Sequence, residues 1–236
     1  MRGLPEFHGL INFYKPSGVT SAECVTFIKR LTGAQKVGHG GTLDPFADGV
    51  LPIGVNRGTK LLQEFIAGNK TYAGFFGLGY RTDTLDIEGK IENISADIES
   101  FSLTEFELQR QKLLGTYEQT TPRYSARKVG GKKLYELARK NKIVEALPGK
   151  KVTIFSFELG PLSSKKVHFS VTCSKGTYVR QLVQDLLEDS KFEGTLEKLT
   201  RICVGPFHAK DSISHHEFIR SLHKENPFRG TWCHAL

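Results

Sequence analysis

A glycine-rich stretch around one acidic residue constrains this chain more than any other feature: residues 38–51 read GHGGTLDPFADGVL. Three glycines precede the acid: Gly38, Gly40 and Gly41. Glycine lacks a Cβ atom, so it permits tight bends and a close approach of the backbone to a ligand. Pro45 keeps the residue before it, Asp44, out of the α region, and the VLPIGV that follows Gly49 predicts a buried strand. We therefore expect a stiff loop that presents the Asp44 carboxylate, as functional loops on rigid scaffolds do.

An alternative interpretation of this loop is purely structural, with the Asp44 side chain accepting hydrogen bonds from its own backbone. Nucleotide-binding motifs fit less well. Gly38-x-Gly40 lacks the third glycine of the dinucleotide fingerprint, and Arg57-Gly-Thr-Lys60 lacks the upstream glycine of a P-loop. The loop alone thus leaves two possibilities, a tight turn or a carboxylate held against a substrate.

The size and charge of the chain favour a basic globular protein. Its 236 residues are 39% hydrophobic, enough for one substantial core or two small ones. Lys and Arg outnumber Asp and Glu by 33 to 25, which gives a net charge of +8. This balance suits a polyanionic partner, because cations that neutralise phosphates dominate nucleic-acid affinity. A basic enzyme without such a partner would have the same composition.

The cysteines and the apolar segments indicate a reduced compartment. The four cysteines, which form no Cys-x-x-Cys pair, are Cys24, Cys173, Cys203 and Cys233. The first three lie in apolar periodic segments, so we predict reduced core thiols and no metal site. No apolar run is long enough to cross a membrane, and the first residues lack the apolar run of a signal peptide. We predict a cytoplasmic protein.

The periodicity predicts helices and strands without a regular βαβ repeat. Helices are expected at 20–33, 59–66, 102–115 and 178–187 and from Ser214 onward, and strands at 50–55, 70–80, 151–158 and 165–173. Three helices have a capping-box signature, Thr20 with Glu23, Ser102 with Glu105 and Ser214 with Glu217. Arg180 falls in the first turn of its helix, where the helix dipole disfavours a cation. This placement suggests an anionic neighbour for Arg180.

Residues 119–148 are basic with interleaved aromatics. The basic residues are Arg123, Arg127, Lys128, Lys132, Lys133, Arg139, Lys140 and Lys142, and the tyrosines are Tyr124 and Tyr135. Such a segment suits RNA, because cations contact phosphates while rings stack on unpaired bases. The alternative is a solvated surface helix over 134–139.

Several motifs occur in a fixed order along the chain. They are Lys15-Pro-Ser-Gly-Val-Thr-Ser21, Gly40-Gly-Thr-Leu-Asp-Pro45, Asn69-Lys-Thr-Tyr72, Tyr124-Ser-Ala-Arg-Lys128, Gly131-Lys-Lys-Leu-Tyr135, Cys173-Ser-Lys-Gly-Thr-Tyr-Val-Arg180 and Leu199-Thr-Arg201. From about residue 9 to about residue 207 the chain thereby resembles the TruB family of tRNA pseudouridine synthases.

The resemblance implies an α+β fold, with a mixed, mostly antiparallel sheet, flanking helices and a central RNA-binding cleft. Residues 1–236 would form one catalytic domain, with 119–148 as a mobile insertion that closes over the RNA. The implied reaction isomerises the uridine of the tRNA T-loop to pseudouridine without a metal or other cofactor.

The resemblance also implies roles for single residues. Asp44 matches the catalytic carboxylate, and Arg180 the cation that would favour its ionised form. Tyr72 matches an active-site tyrosine that stacks on the flipped uracil, although a tyrosine in an alternating strand is often a core residue. Asp48 could form a glycosidase-like carboxylate pair with Asp44, but the family is generally not acidic there, so we assign it no catalytic role.

The expected substrate-binding residues fall into three groups. They are His39, Tyr178 and Leu199 at the base pocket, Lys15 and Lys60 on phosphates, and Arg127, Lys128 and Lys132 in the basic segment.

The expected partner is the T-arm stem-loop of tRNA, bound by a monomer without a guide RNA. Bacterial members of the family usually continue into a C-terminal RNA-binding domain of the PUA type. About 25 residues follow Asp211, too few for that domain. Two other functions stay open, a non-catalytic RNA-binding protein on the same scaffold and a glycosidase-like enzyme that uses Asp44 and Asp48.

Overall fold

The structure, a computed structural model, describes residues 6–95, 103–125, 128–129, 132–134, 149–163, 165–224, 228 and 230–235. It divides into two compact units. Unit 1 comprises Met1–Ala73 and Leu199–Leu236, and unit 2 comprises Gly74–Lys198.

Strands and helices alternate irregularly along the described residues. The strands are β1 (Gly9–Lys15), β2 (Val37–His39), β3 (Asp48–Val55), β4 (Lys70–Leu78), β5 (Tyr80–Thr82), β6 (Ile91–Ile94), β7 (Gly115–Gln119), β8 (Lys128–Val129), β9 (Lys132–Lys133), β10 (Lys150–Ser163), β11 (Lys166–Cys173), β12 (Gly194–Val204), β13 (Phe207–His208) and β14 (Cys233–Ala235). The helices are α1 (Ser21–Thr32), α2 (Gly58–Phe65), α3 (Leu103–Lys112), α4 (Val179–Leu187) and α5 (His215–Leu222), with a 3₁₀ turn at Ala209–Asp211.

Unit 1 is built on strands in the order β14–β1–β3–β12, with β2 paired to β3 and β13 to β12. These pairs are antiparallel except β3 with β12, which is parallel at Thr200 and Asp48. Every residue of β3 is buried, as the apolar run after Gly49 predicts. Continuous burial is typical of a strand that is covered on both faces.

Helices cover both faces of this sheet. On one face, Ile11 and Ile53 pack with Ile28 of α1 and Phe218 of α5. On the other, Leu10 packs with Leu62 of α2. Each large side chain that is fully buried stabilises the fold by about 1.5–3 kcal/mol. Alternate residues of β1 thereby join two separate cores.

Two of the three predicted capping boxes are confirmed, and the third lies outside the described residues because Ser102 does. Thr20 caps α1 through reciprocal bonds with Glu23, and Ser214 caps α5 in the same way with Glu217. A cap of this kind is worth about 1 kcal/mol. The helix predicted at 59–66 is also present, displaced by one residue.

Unit 2 contains an antiparallel arrangement of β11, β10 and β7 and a separate β5–β6 hairpin. On β11, the side chains of Val167, Phe169, Val171 and Cys173 are buried, which confirms the predicted alternation. The apolar stripe of α4 is buried through Leu182, Val183 and Leu186. The described fold is therefore α+β with mostly antiparallel strands, as expected.

Some boundaries differ from the prediction. The third helix ends at Lys112 rather than Gly115, because Gly115 already begins β7 with a left-handed φ of 87°. Of the basic segment 119–148, the structure describes 119–125, a two-stranded ladder of β8 and β9, and Leu134. The alternative helix over 134–139 therefore lies outside the described residues beyond Leu134. The mobility of this segment and the central RNA cleft stay predictions. No helix in the described part of the chain is long and apolar enough to cross a bilayer.

Candidate active site

The loop between β2 and β3 carries Asp44, and two of its three glycines are required. A Cβ atom at Gly40 would lie 2.3 Å from Ile66 Cγ2, and Gly41 has a left-handed φ of 92°. At Gly38 a Cβ atom would meet nothing closer than 3.9 Å, so that glycine is not required by the fold. The loop is therefore close-packed against α2.

The residues on either side of Asp44 are both anchored. The Ser21 hydroxyl accepts a hydrogen bond from Leu43 N–H at 3.0 Å and donates to Leu43 O at 3.2 Å. The carbonyl of Pro45 accepts from Gly18 N–H at 2.9 Å. These contacts come from the start of α1 and from the turn before it. The backbone that presents the carboxylate is thus fixed on both sides.

Lys15 also supports this loop from inside the protein. Its Nζ donates to the carbonyls of Pro16 (2.9 Å), Val19 (2.6 Å) and Pro45 (3.1 Å). The residue is 0% exposed, so the RNA phosphate contact expected for Lys15 does not fit this position. A buried ammonium is tolerated when oxygen atoms replace its hydration shell. In the structure, Lys15 therefore holds the loop in place through hydrogen bonds to backbone carbonyls.

A second buried cation, Arg201 of β12, binds the part of the loop that precedes Asp44. Its Nε donates to Val50 O at 2.8 Å, its Nη2 to Gly41 O at 3.1 Å and its Nη1 to Thr42 O at 3.4 Å. Arg201 is 1% exposed. No role was predicted for Arg201 from the sequence, although an arginine among the apolar residues of LTRICV could have indicated a buried cation.

The other predicted residues of unit 1 have different environments. Tyr72 and Leu199 are buried, and Lys60 is exposed on α2. Burial, and secondly the charge of Arg201, hold the pKa of His39 below its usual value. Its Nδ1 is buried and has no hydrogen-bond partner among the described residues. His39 is therefore neutral at pH 7 and presents an unused polar atom.

In unit 2, Arg180 lies in the first turn of α4 and is 4% exposed. Its Nη1 donates to Thr84 O at 2.6 Å and lies 3.4 Å from Asp86 Oδ2, while Nη2 donates to Tyr124 O at 3.0 Å. An anionic neighbour was expected from the placement of Arg180, and Asp86 is such a neighbour. The pairing of Arg180 with Asp44 stays a prediction.

Sequence reasoning missed Asp86. This residue lies in the turn between β5 and β6, where Oδ1 accepts from Thr84 Oγ1 at 2.6 Å and from Glu88 N–H at 3.1 Å. These bonds orient the carboxylate toward Arg180. The segment TDTLDIEG at 82–89 could have indicated Asp86, because it repeats the Thr-Leu-Asp of residues 42–44 between two strands.

Tyr178 is fixed through its backbone by Gln119, the last residue of β7. Gln119 Oε1 accepts from Tyr178 N–H at 2.8 Å and Nε2 donates to Tyr178 O at 3.2 Å. Asp185 and Tyr117 complete the network, with Tyr117 donating to Asp185 Oδ2 at 2.7 Å. Burial raises the pKa of both Asp185 and Tyr117. The start of α4, which carries Arg180, is therefore tied to β7.

Three predicted RNA-binding side chains of the basic segment fall outside the described part of the chain. Arg127 lies outside the described residues, and the side chains of Lys128 and Lys132 are likewise outside them. The four cysteines are free thiols, of which Cys203 is half-buried rather than in the core. Among the described residues no group of three His, Cys, Asp or Glu side chains could hold a metal ion.

Solved structures share this fold. The Cbf5–Nop10–Gar1 complex matches with a TM-score of 0.70 and 25% identity, over 92% of this chain and 54% of that one. An H/ACA RNP bound to a substrate RNA containing 2′-deoxyuridine matches with a TM-score of 0.66 and 22% identity, over 92% of this chain and 58% of that one. The chain thus spans little more than half of either, and its fold is the pseudouridine-synthase fold.

The family follows from sequence comparison. The family model described as "TruB family pseudouridylate synthase (N terminal domain)" matches residues 29–179 of this chain. The tRNA pseudouridine synthase B of Clostridium novyi (strain NT) is 43% identical over 206 residues, which is 87% of this chain and 70% of that protein. The tRNA pseudouridine synthase B of Lactobacillus johnsonii (strain CNCM I-12250 / La1 / NCC 533) is 36% identical over 236 residues, with 97% and 78% covered. The chain belongs to the TruB family of pseudouridylate synthases, which are isomerases.

Proposed function

We propose that this protein isomerises the uridine of the tRNA T-loop to pseudouridine, with Asp44 as the catalytic carboxylate. The observation that carries the proposal is the Asp44 loop, which is anchored at Leu43 and Pro45 on either side of the acid. The family membership and the names of the curated tRNA-modifying relatives support it.

The chemistry requires a positioned carboxylate rather than a redox partner. The bond between uracil N1 and ribose C1′ breaks, a bond between C5 and C1′ forms, the proton on C5 leaves and N1 gains one. Asp44 acts by adding to the ribose, by adding to the base or by removing a proton from C2′, and each role needs its ionised form. Fixing such a group in the reactive geometry matters greatly, because a small misplacement can reduce the rate about 100-fold.

The remaining residues serve the flipped nucleotide in this proposal. Extruding the uridine costs a few kcal/mol, which stacking on Tyr72 partly offsets. Leu199 lines the floor of the base pocket, and neutral His39 contacts the nucleotide without adding charge. Arg180 is the cation that favours ionised Asp44. Tyr178 braces the base pocket, and Lys60, Arg127, Lys128 and Lys132 contact phosphates of the RNA.

We also propose that the protein acts as a monomer in the cytoplasm, without a guide RNA. Purified protein and an unmodified tRNA transcript should then suffice for the reaction. Light scattering at the enzyme concentration of the assay should give the mass of a single chain, and a dimer mass would contradict this part of the proposal.

Asp44→Asn provides the main test, with Asp189→Asn as the matched control. Asp189 is an exposed acid that pairs with Lys112 at 3.3 Å. Asparagine keeps the shape of aspartate but cannot act as a nucleophile or base. Pseudouridine, mapped chemically in the transcript, should be lost in Asp44→Asn and retained in Asp189→Asn, while tRNA affinity stays within a few-fold in both.

Other outcomes would identify other functions. Tight tRNA binding without pseudouridine in the wild-type protein would indicate a non-catalytic RNA-binding function. Release of free uracil with an abasic ribose would indicate a glycosidase-like reaction. Pseudouridine formation at the wild-type rate by Asp44→Asn would remove Asp44 from the mechanism.

A further inference from the structure

We propose that Lys36, Arg57 and Lys60 form one phosphate-binding surface of unit 1, here called the Lys36–Lys60 surface, which holds the RNA backbone next to the flipped nucleotide. The inference rests on the proposed function. It extends the phosphate contact already proposed for Lys60 to a surface separate from the 119–148 segment, and it assigns Lys36 and Arg57 a role that the motifs did not indicate.

The three cations come from two segments that hydrogen bonds tie together. Asn56 N–H donates to Lys36 O at 2.7 Å, and Asn56 Oδ1 accepts from Lys36 N–H at 3.2 Å. Arg57 follows Asn56 directly, and Lys60 N–H donates to Arg57 O at 3.1 Å in the first turn of α2. The backbone positions of the three cations are therefore adjacent and fixed relative to one another.

Asn56 shows that this junction is specifically organised. Its φ is 51°, a left-handed value that asparagine adopts more readily than most residues. Its Nδ2 donates to Phe7 O at 2.9 Å, so the side chain uses both its donor and its acceptor. The junction thereby joins the residues before β1, the residues before β2 and the start of α2 into a rigid base for the basic side chains.

The charge of this surface is not neutralised within the described structure. Lys36, Arg57 and Lys60 are exposed, and none of them pairs with a described acidic residue. Glu64 lies one turn beyond Lys60 on α2 but forms no ion pair with it. Four basic side chains of unit 2 differ from these, since Arg81, Arg110, Lys112 and Lys166 each have a carboxylate partner. Clustered and unpaired cations are the arrangement that releases counterions on binding phosphates.

The distance along β2 relates this surface to the Asp44 loop. Residues 36 to 39 lead from the surface to His39, and an extended strand advances about 3.3 Å per residue, or about 10 Å in total. A stacked nucleic-acid strand advances about 3.4 Å per nucleotide. The surface thus lies about three nucleotides from a base beside His39, and Arg57 can bind a phosphate there with two parallel hydrogen bonds.

The test compares two triple variants, each of which removes three positive charges from the protein. K36Q/R57Q/K60Q removes the surface, and K210Q/R220Q/K224Q removes two lysines and one arginine from exposed positions elsewhere in unit 1. The dissociation constant for an unmodified tRNA transcript is measured at several KCl concentrations. The slope of log K against log salt should become shallower by about 2–3 in the first variant, at about 0.7–0.9 per lost phosphate contact, and by less than about 1 in the second.

Two results would overturn the proposal. Equal changes of slope in both variants would show that net charge alone matters, and an unchanged slope in K36Q/R57Q/K60Q would show that the surface does not meet RNA. Arg57→Gln alone, which should lower the slope by just under one, gives an independent reading if the triple variant unfolds.

Mapping pseudouridine with the wild-type protein keeps this test separate from the proposed function. Pseudouridine in the T-loop with unchanged slopes would refute only the surface. A selective loss of slope without any pseudouridine would refute only the reaction.

Discussion

Arg201→Met should weaken the fold and, more strongly, the reaction. The substitution keeps an unbranched stem but removes the guanidinium that donates to Val50, Gly41 and Thr42. Each buried acceptor that loses its partner costs about 1–3 kcal/mol, and the two shorter bonds dominate. Removing the buried charge relieves part of its desolvation cost. We expect the free energy of unfolding to fall by about 2–4 kcal/mol.

The effect on the reaction should exceed the effect on stability. Without Arg201 the loop keeps its anchors at Leu43 and Pro45 but loses those at Gly41 and Thr42, so Asp44 can shift. Displacement of a reacting group by about 1 Å can cost roughly 100-fold in rate. Single-turnover pseudouridine formation at saturating enzyme measures this loss without a contribution from binding. Urea unfolding of the same sample shows how much protein is folded under the assay conditions.

Arg110→Met is the matched control. Arg110 of unit 2 bonds Phe157 O and the carboxylate of Glu107, so its removal also breaks contacts of a partly buried guanidinium. The control should lose stability but keep the wild-type single-turnover rate. If Arg201→Met is folded and also keeps that rate, the loop does not depend on this guanidinium and our account of Asp44 positioning is wrong.

Three further predictions concern single residues. Arg180→Lys keeps the charge but cannot reproduce the planar contacts with Asp86, Thr84 and Tyr124. Its single-turnover rate should fall by roughly 100-fold, and a wild-type rate would show that the reaction does not depend on the position of the guanidinium. The pKa of His39 in the folded protein lies below the usual value of about 6.5, so on acidification the unfolded chain takes up a proton first and the free energy of unfolding falls with decreasing pH. His39→Gln should therefore lose less stability than the wild type between pH 7.5 and 5.5, as measured by urea unfolding. Equal losses in the two proteins would refute this linkage. Gln119→Leu leaves the Tyr178 backbone without its side-chain partners and should lower the unfolding free energy by about 1–3 kcal/mol; a calorimetric change below the error of the measurement would show that water replaces the amide.

Local patterns predicted the parts of the fold that local interactions determine. The boxes of Thr20 and Ser214 involve residues only three positions apart, and the alternation on β11 reflects the geometry of a single strand. The end of α3 was placed too late because Gly115 served to begin a strand rather than to end a helix. Whether Gly115 ends the helix or begins a strand depends on the pairing of β7 with β10, and the periodicity of the helix contains no information about that pairing.

The supports of the candidate site were harder to predict. Asp44 stands out in a glycine-rich sequence, whereas Lys15 was predicted to contact an RNA phosphate and Arg201 was given no role. Buried cations of this kind are rare. Their burial depends on carbonyl groups that are distant in sequence, such as those of Pro45 for Lys15 and Val50 for Arg201. The partners become visible only when β1, β3 and β12 are assembled.

The short strand β14 has a consequence for solubility. Its residues pair with Gly9, Leu10 and Ile11, and Asn12 N–H donates to Trp232 O at 2.7 Å. This side of β1 would otherwise expose a row of unpaired backbone groups beside a very apolar strand, and open edges of this kind template association between copies of a protein. By pairing with β1, the strand β14 therefore protects this edge of the sheet against aggregation. A variant that lacks residues 230–235 should first show concentration-dependent self-association.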